Sequence, residues 1–458
     1  MGVKQFHLRH TRFGFLILCI CGLLWITACS KENTEKPISA MTSNTDSNQA
    51  DSNQDDNKPK KAPENINRPT LLSLDKDMFE LSEWSDDNTT LLARMTFEAV
   101  LLSDEDKTKY PALANSLSQH SHMWERAHHR DFEETVSEAM AEYKHGLYFP
   151  TRYELMNTQV RRADSIALSL LEKTANYDSE MGFWWGKISS VTFNTQTGEP
   201  CELSDIVRDV AKLPALIIKG MSSTMQKIDD ITETSLKVYF DRRGFNWTLD
   251  YDGITFYFDE HTLSESWHPA TCAKVLFAGN EDVFYEQFTI SPSSYIVGLS
   301  DSSEFLTDLD GDGKLDGFTY YQSSTSSDLM FGKVSEFGLY PQTENKPWSL
   351  FEVVDGIYFS PYYVKMADGT NLIYVFCGEE YSYEYIRPQL FMYELTPKTC
   401  NKLGGRELGM RMVGGPQYEI GLDISYAVAT DPQNLRLNDV DFNEVVYRIG
   451  SDYLPVKK

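Results

Sequence analysis

Only two stretches of this chain space their apolar residues at helical intervals; elsewhere those residues alternate with polar ones or sit in short runs between turn formers. In the longer stretch, opened by Pro111, the residues Leu113, Leu117, Trp124, Phe132, Val136, Ala139 and Tyr143 lay one stripe on a core. A second helix is expected from Ser204, a suitable N-cap, to about Met225, with Pro214 as a kink or break. Around these the period is two. Leu91, Ala93, Met95, Phe97, Ala99 and Leu101 alternate with Arg94, Thr96 and Glu98. Ile166, Leu168 and Leu170 alternate with smaller residues, Val191 and Phe193 flank Thr192 ahead of a Thr197-Gly198 turn, and Ile254, Phe256 and Phe258 repeat the pattern. Residues 69–275 are therefore expected to form an α+β domain, an antiparallel sheet with helices. From about Glu281 helical spacing disappears. Tyr295 to Leu299, Phe318 to Tyr321, Leu372 to Phe376, Leu390 to Leu395 and Tyr418 to Leu422 read as strands between turn residues, so 276–458 is expected to be all-β.

The N-terminus has a different character. Lys4, Arg9 and Arg12 precede an uncharged, largely apolar run from Phe13 to Ile26, shorter than the ~20 residues a membrane-spanning helix needs. Ile26-Thr27-Ala28-Cys29 then resembles the lipobox of bacterial lipoproteins. Residues 1–28 are expected to be a signal peptide and Cys29 the lipidated first residue of the mature chain, held at the membrane by its acyl chains and facing outside the cytoplasm. Between Ser30 and Arg68 the chain is Asn, Asp, Ser, Lys, Pro and Glu with few bulky apolar residues, a composition that cannot bury enough surface to order itself. As a flexible coil of about forty residues, this 29–68 tether spans on the order of 35 Å. Ser30 behind the lipidated cysteine permits outer-membrane sorting in a two-membrane cell.

The net charge is −26, and loss of the three basic signal residues takes it to −29. Such a field repels polyanions and draws cations, so nucleic acid is excluded as a partner; solubility alone is the plainer reason for an acidic surface. Besides Cys29, the mature chain has Cys201, Cys272, Cys377 and Cys400, in no zinc-binding spacing. In an exported protein they can form two bridges, Cys201–Cys272 and Cys377–Cys400 if each closes within one domain. The alternative is unpaired buried thiols.

The sharpest chemical motif is Asp308-Leu309-Asp310-Gly311-Asp312-Gly313-Lys314-Leu315-Asp316. Calcium takes six to eight oxygens, and alternate carboxylates followed by glycine let a tight loop wrap it. Asp308, Asp310, Asp312 and Asp316 are the candidate carboxylate ligands, and Lys314 would offer its backbone carbonyl. Thr319 stands where a helix-loop-helix hand has glutamate, and the flanks read as strands, so the expected role is a structural staple between strands. On the long helix, His122, Glu125 and His129 share a face that could seat zinc, although that face lies opposite the apolar stripe, where solvated side chains belong. There is no GxSxG elbow, HExxH, phosphate-cradling loop or kinase signature, and the carboxylates are too many for a glycosidase pair to be located. Trp184, Trp185, Tyr251, Phe256, Tyr257 and Phe258 can stack on a sugar or simply fill a core.

Three segments together carry a resemblance. Arg161-Arg162-Ala163-Asp164-Ser165-Ile166-Ala167-Leu168-Ser169-Leu170, then Val191 to Glu199 leading to Leu203-Ser204-Asp205-Ile206, and then Asp252-Gly253-Ile254-Thr255-Phe256-Tyr257-Phe258 resemble the extracytoplasmic domain of RsiV-type anti-sigma factors over roughly residues 85–275. The resemblance implies an α+β fold and binding of lysozyme. A Gly-Gly-Ala-His stretch common in that family is replaced here by Asp178 to Trp185, and no spanning helix or sigma-binding segment accompanies the domain. The expectation is therefore a surface-anchored, non-enzymatic lipoprotein that binds a cationic protein such as lysozyme or a cell-wall component such as peptidoglycan. The alternatives are an enzyme acting on wall glycan and a calcium-stabilised structural or assembly lipoprotein.

Overall fold

In a computed structural model, the structure describes residues 67–146, 151–178, 182–221, 231–243, 245–258, 271–299, 303–324, 334–341, 350–356, 358–382, 385–407, 412–413, 427–438 and 444–458. The signal segment, Cys29, the tether as far as residue 66 and the strand expected at Tyr418 to Leu422 lie outside these residues. The first part runs β1 (Leu74–Trp84), β2 (Leu91–Leu102), α1 (Asp104–Lys109), α2 (Pro111–Lys144), β3 (Arg152–Ala163), β4 (Ala167–Asp178) and β5 (Gly182–Asn194). Short helices follow, α3 (Leu203–Ile206), α4 (Leu213–Met221) and α5 (Glu233–Arg243), then strands β6 (Asn246–Leu249), β7 (Gly253–Phe258) and β8 (Thr271–Leu276). This is an α+β arrangement. The rest of the chain is β-rich: after α6 (Glu286–Thr289) come β9 (Tyr295–Gly298), β10 (Ser303–Thr307), β11 (Asp316–Ser324), β12 (Val334–Pro341), β13 (Leu350–Gly356), β14 (Tyr358–Lys365), β15 (Asn371–Ser382), β16 (Tyr385–Leu395) and β17 (Cys400–Glu407). The short strands β18 (Met412–Val413), β19 (Ala427–Val428), β20 (Leu435–Asn438), β21 (Glu444–Ile449) and β22 (Pro455–Lys457) complete it.

The long helix is where its spacing puts it. Pro111 occupies its first turn, where a missing N–H costs nothing, and Gly146, with φ of 65°, follows its end. Leu113, Leu117, Phe132 and Ala139 are buried, and so is His128, which fills the position between Trp124 and Phe132. That stripe covers the six-stranded sheet ordered β19-β1-β2-β3-β4-β5, antiparallel apart from the parallel β2/β3 pair, the pair that α1 and α2 connect.

The second expected helix is broken. It starts at Leu203 with a reciprocal capping box between Glu202 and Asp205, so the cap is Glu202 and Ser204 lies inside the first turn. It stops at Ile206, and after a 3₁₀ turn at Val210–Lys212 the chain re-enters a helix with Pro214 in the first turn of α4, where proline is tolerated. Pro214 thus opens a helix and does not kink one. Residues beyond Met221, to the expected end at Met225, lie outside those described.

The small sheet β6-β7-β8 is buried on both sides: Ile254, Phe256, Phe258, Ala273 and Val275 meet α4 and α5, while Tyr257 and Cys272 meet Leu171 and Leu306. In the second part, Phe318, Tyr320, Phe337 and Leu339 from the sheet β10-β11-β12-β13 pack with Tyr363, Ile373, Val375 and Tyr393 from the sheet β17-β16-β15-β14-β9. The opposite face of the latter sheet, through Leu372, Tyr374, Leu390 and Met392, covers Leu435, Tyr447 and Ile449 of the β20-β21-β22 sheet. A strand buried on both faces needs no polar alternation, which is why Leu372 to Phe376 is a continuous apolar run.

The boundary expected at 275/276 is bridged by many bonds. Lys274 Nζ donates to Leu306 O at 2.7 Å, Arg162 donates to Phe288 O and Ile290 O, and β1 pairs with β19. Residues 65–458 form one compact unit. Among the described residues no helix is long and apolar enough to cross a membrane.

Candidate functional site

The segments that carry the resemblance supply a buried ionic cluster and an open cleft. Arg161 and Arg162 are neighbours on β3 at a shift in its register with β4, and both reach Asp250, Arg161 at its carboxylate and Arg162 at its backbone carbonyl. Arg161 makes a two-pronged pair with Asp250, at 3.0 and 2.8 Å, and lies over the Phe305 ring. Lys274, from β8, reaches the same carboxylate at 2.9 Å and also pairs with Asp252. Thr248 and Thr255 hydroxyls donate to Asp250, and Thr307 Oγ1 and Asp308 N donate to Asp252. Arg162, fully buried, pairs with Asp164 at 2.9 Å, and Asp164 Oδ1 accepts from Ile166 N and Ala167 N. Burial alone would raise the Asp250 carboxyl, but Arg161 and Lys274 outweigh it and hold the group well below the usual carboxylate range. Cations and anions in this cluster are matched and their hydrogen bonds are made, so it organises the fold. Sequence reading missed the cluster. Its one signal was charge inside otherwise apolar strands, as in Cys272-Ala273-Lys274-Val275.

The cleft lies at the end of β5. The turn after it is fixed by Asn194 Oδ1, which accepts from Gln196 N and Thr197 N, and by Gly198, whose φ of 70° only glycine adopts readily. Gly198 is also pressed on the start of α2, where a Cβ would lie 2.5 Å from the Ala112 carbonyl. This turn, α3 and the first residues of α6 enclose an open space of about 450 Å³, lined by Thr197, Glu199, Ser204, Asp205, Tyr285 and Gln287 among others. The side chains of Glu199, Ser204 and Gln287 make no hydrogen bond or ion pair within the protein among the described residues. Asp205 Oδ2 is engaged as the cap acceptor of Glu202 N at 2.8 Å, and the Arg208 guanidinium covers one face of the Tyr285 ring at 5.3 Å. Cys201 lines the same space, and burial together with Asp205 pushes its thiol up to about 11. It is a neutral thiol at pH 7, unsuited to nucleophilic chemistry.

The acidic motif forms the turn of the β10/β11 hairpin, whose register pairs Thr307 with Asp316. Asp308 Oδ1 accepts from Gly311 N and Asp312 N, its Oδ2 from Gly313 N, and Gly311 and Gly313 have φ of 79° and 78°. One carboxylate oxygen from each of Asp308, Asp310 and Asp316 lies within 4.8 Å of the others. Asp312 is apart from that trio, its carboxylate paired with Lys314 Nζ at 2.7 Å. Burial, with Asp312 and Asp310 adding to it, raises the Asp308 pKa despite the N–H donors of Gly313 and Gly311. Three gathered carboxylates on a glycine turn are donors of the type calcium takes.

Of the two arrangements left open for the cysteines, the described residues have the unpaired one. Cys201, Cys272 and Cys400 are free thiols. Cys201 packs on the α4 side of the β6-β7-β8 sheet and Cys272 faces the opposite side, toward Glu304, so no bridge joins them. Cys400 is likewise free, and the side chain of Cys377, on β15, lies outside those described. On α2, His122 Nδ1 lies 3.1 Å from Glu125, and His129 is exposed beside them. Inward on the same helix, His120 pairs with Glu172 at 2.6 Å and His128 stacks between Trp124 and Phe97. Tyr251, Phe256, Tyr257 and Phe258 are buried in cores, and Trp184 and Trp185 lie on β5 opposite Asn176 and Ala175.

No family model matches the chain, and no curated protein matches it. Solved structures similar to parts of it include two from the DUF3298 family. One is a member of the DUF3298 family from Bacteroides fragilis, 14% identical, with a TM-score of 0.32 over 48% of this chain and 96% of that one. The other is a DUF3298 family protein from Pseudomonas aeruginosa, 8% identical, with a TM-score of 0.30 over 49% of this chain and 99% of that one. Likeness at this level fixes neither fold nor role.

Proposed function

We propose that this chain is a lipid-anchored, extracytoplasmic binding protein without enzymatic activity, whose ligand is a cationic protein such as lysozyme or a cell-wall component. The observation that supports this most is the cleft beside β5: it is open and polar, and the Glu199, Ser204 and Gln287 side chains facing it are unused by the fold. The charged groups of the buried cluster, by contrast, are spent on one another. The acidic chain favours a positively charged ligand, and a lipidated Cys29 with a long polar tether gives the folded part reach. Titration of the chain from residue 29, with Cys29→Ser, against lysozyme and against soluble wall fragments tests the reading. Saturable binding to one of them without release of sugar is expected; release of sugar would instead favour a wall-glycan enzyme.

A second reading is favoured by the gathered oxygens of Asp308, Asp310 and Asp316. Calcium held there would neutralise the loop and staple β10 to β11. The chain is then expected to melt several degrees higher with millimolar calcium than with chelator, and Asp310→Ala should lose that response. An equal calcium response in the variant would remove the assignment.

A further inference from the structure

We infer that the cleft beside β5 takes a short peptide carrying an unmodified primary ammonium side chain of the lysine type. The inference rests on the binding reading above and narrows it to one ligand chemistry. Glu199 and Asp205 line the cleft, and Glu202 and Glu286 adjoin its lining residues. The cation beside it, Arg208, is laid on the Tyr285 ring, while Lys212 pairs with Asp282. Negative charge is therefore in excess, and the ligand is cationic.

The geometry argues against a metal ion. The one group of three metal-type side chains within 4.8 Å among the described residues is the Asp308, Asp310 and Asp316 set, none of which lines the cleft. A ligand of this cleft must instead meet the unused Glu199 carboxylate and also satisfy neutral groups. The Gln287 amide offers both a donor and an acceptor, and the Ser204 and Thr197 hydroxyls do the same, which matches the alternating N–H and C=O of a peptide backbone. A neutral glycan would leave the excess carboxylate charge uncompensated, whereas a lysine ammonium pairs with it. The volume of about 450 Å³ suits a few residues. A folded protein partner buries about 800 Å² on each side, so one that binds here would seat a single lysine-bearing segment in the cleft and contact the surface around it. The neutral Cys201 thiol leaves binding reversible.

The experiment is calorimetric titration of the full mature chain, Cys29→Ser, with the blocked tripeptide acetyl-Ala-Lys-Ala-amide, with its Nε-acetyl-lysine form and with N-acetylglucosamine oligomers. The lysine peptide is expected to bind, with Nε-acetylation weakening it at least tenfold and the sugar failing to compete. Glu199→Gln, at an exposed position that the fold does not use, should weaken the peptide at least tenfold, and Gln287→Ala severalfold. Equal binding of the acetylated peptide, or an unchanged affinity in Glu199→Gln, overturns the inference. If the chain binds lysozyme or wall fragments but not the peptide, the inference falls and the broader reading stands. If it binds none of them, both fall.

Discussion

Glu304 illustrates how one side chain sets a pH response. It lies on β10 with Oε1 buried and unpaired and Oε2 accepting from the Cys272 thiol at 3.6 Å, and burial raises its pKa from 4.5 to about 7. The folded state therefore holds this proton to higher pH than the unfolded chain. Between pH 4.5 and 7 the unfolded state binds fewer protons, so the group's contribution to stability falls as pH rises through that window and levels off above it. A shift of that size corresponds to roughly 3 kcal/mol. Urea unfolding from pH 5 to 8 should show this decline in the wild type and a flatter profile in Glu304→Gln. The Arg161, Asp250 and Lys274 cluster predicts the opposite kind of sensitivity. Removing one partner leaves a buried charge uncompensated, so Asp250→Ala should cost about 3–5 kcal/mol in the same assay, and a cost below 1 kcal/mol would mean the cluster is not closed to water. These groups were hard to read in advance because a buried ion pair depends on which distant residues meet. His128 is a related case: between Trp124 and Phe132 it sits at a stripe position, but a histidine carries no apolar signal.

Elements whose pattern is local were legible, and elements defined by their surroundings were not. The α2 stripe, the alternation in β2 and the turn at Thr197-Gly198 each follow from residues a few positions apart. The cap of α3 was misread by two residues because Glu202 with Asp205 makes the reciprocal box that Ser204 seemed to offer. Pro214 has two permitted uses, and only the break after Ile206 decides that it starts a helix. The pairing of β1 with β19 is set by tertiary contacts that no local pattern encodes. The turn between β5 and α3 gives a test at this scale. Gly198→Ala adds a Cβ to a left-handed backbone and drives it into Ala112, so it should destabilise the chain by about 2–4 kcal/mol. Loss of protection should appear first at the start of α2 by hydrogen exchange, and uniform loss across the chain would point to a different cause.

For the molecule as a whole, function was less legible than fold. One wall of the cleft belongs to the most specific of the segments that carry the resemblance, but Tyr285 and Gln287 arrive from beyond the small sheet, so the sequence offered no reason to join them. The acidic charge and the cleft, with the proposed tether, fit the proposed captor, in which buried charges hold the scaffold and the Glu199 carboxylate remains free for a ligand. The most direct measurement is equilibrium binding of the mature chain and of its Glu199→Gln variant to lysozyme and to soluble wall fragments at low and high salt. Saturable binding that weakens in the variant and with salt, with no sugar released, is the expected result. Absence of binding to both ligands, or binding indifferent to Glu199 and to salt, would contradict the assignment of this cleft as the site of capture.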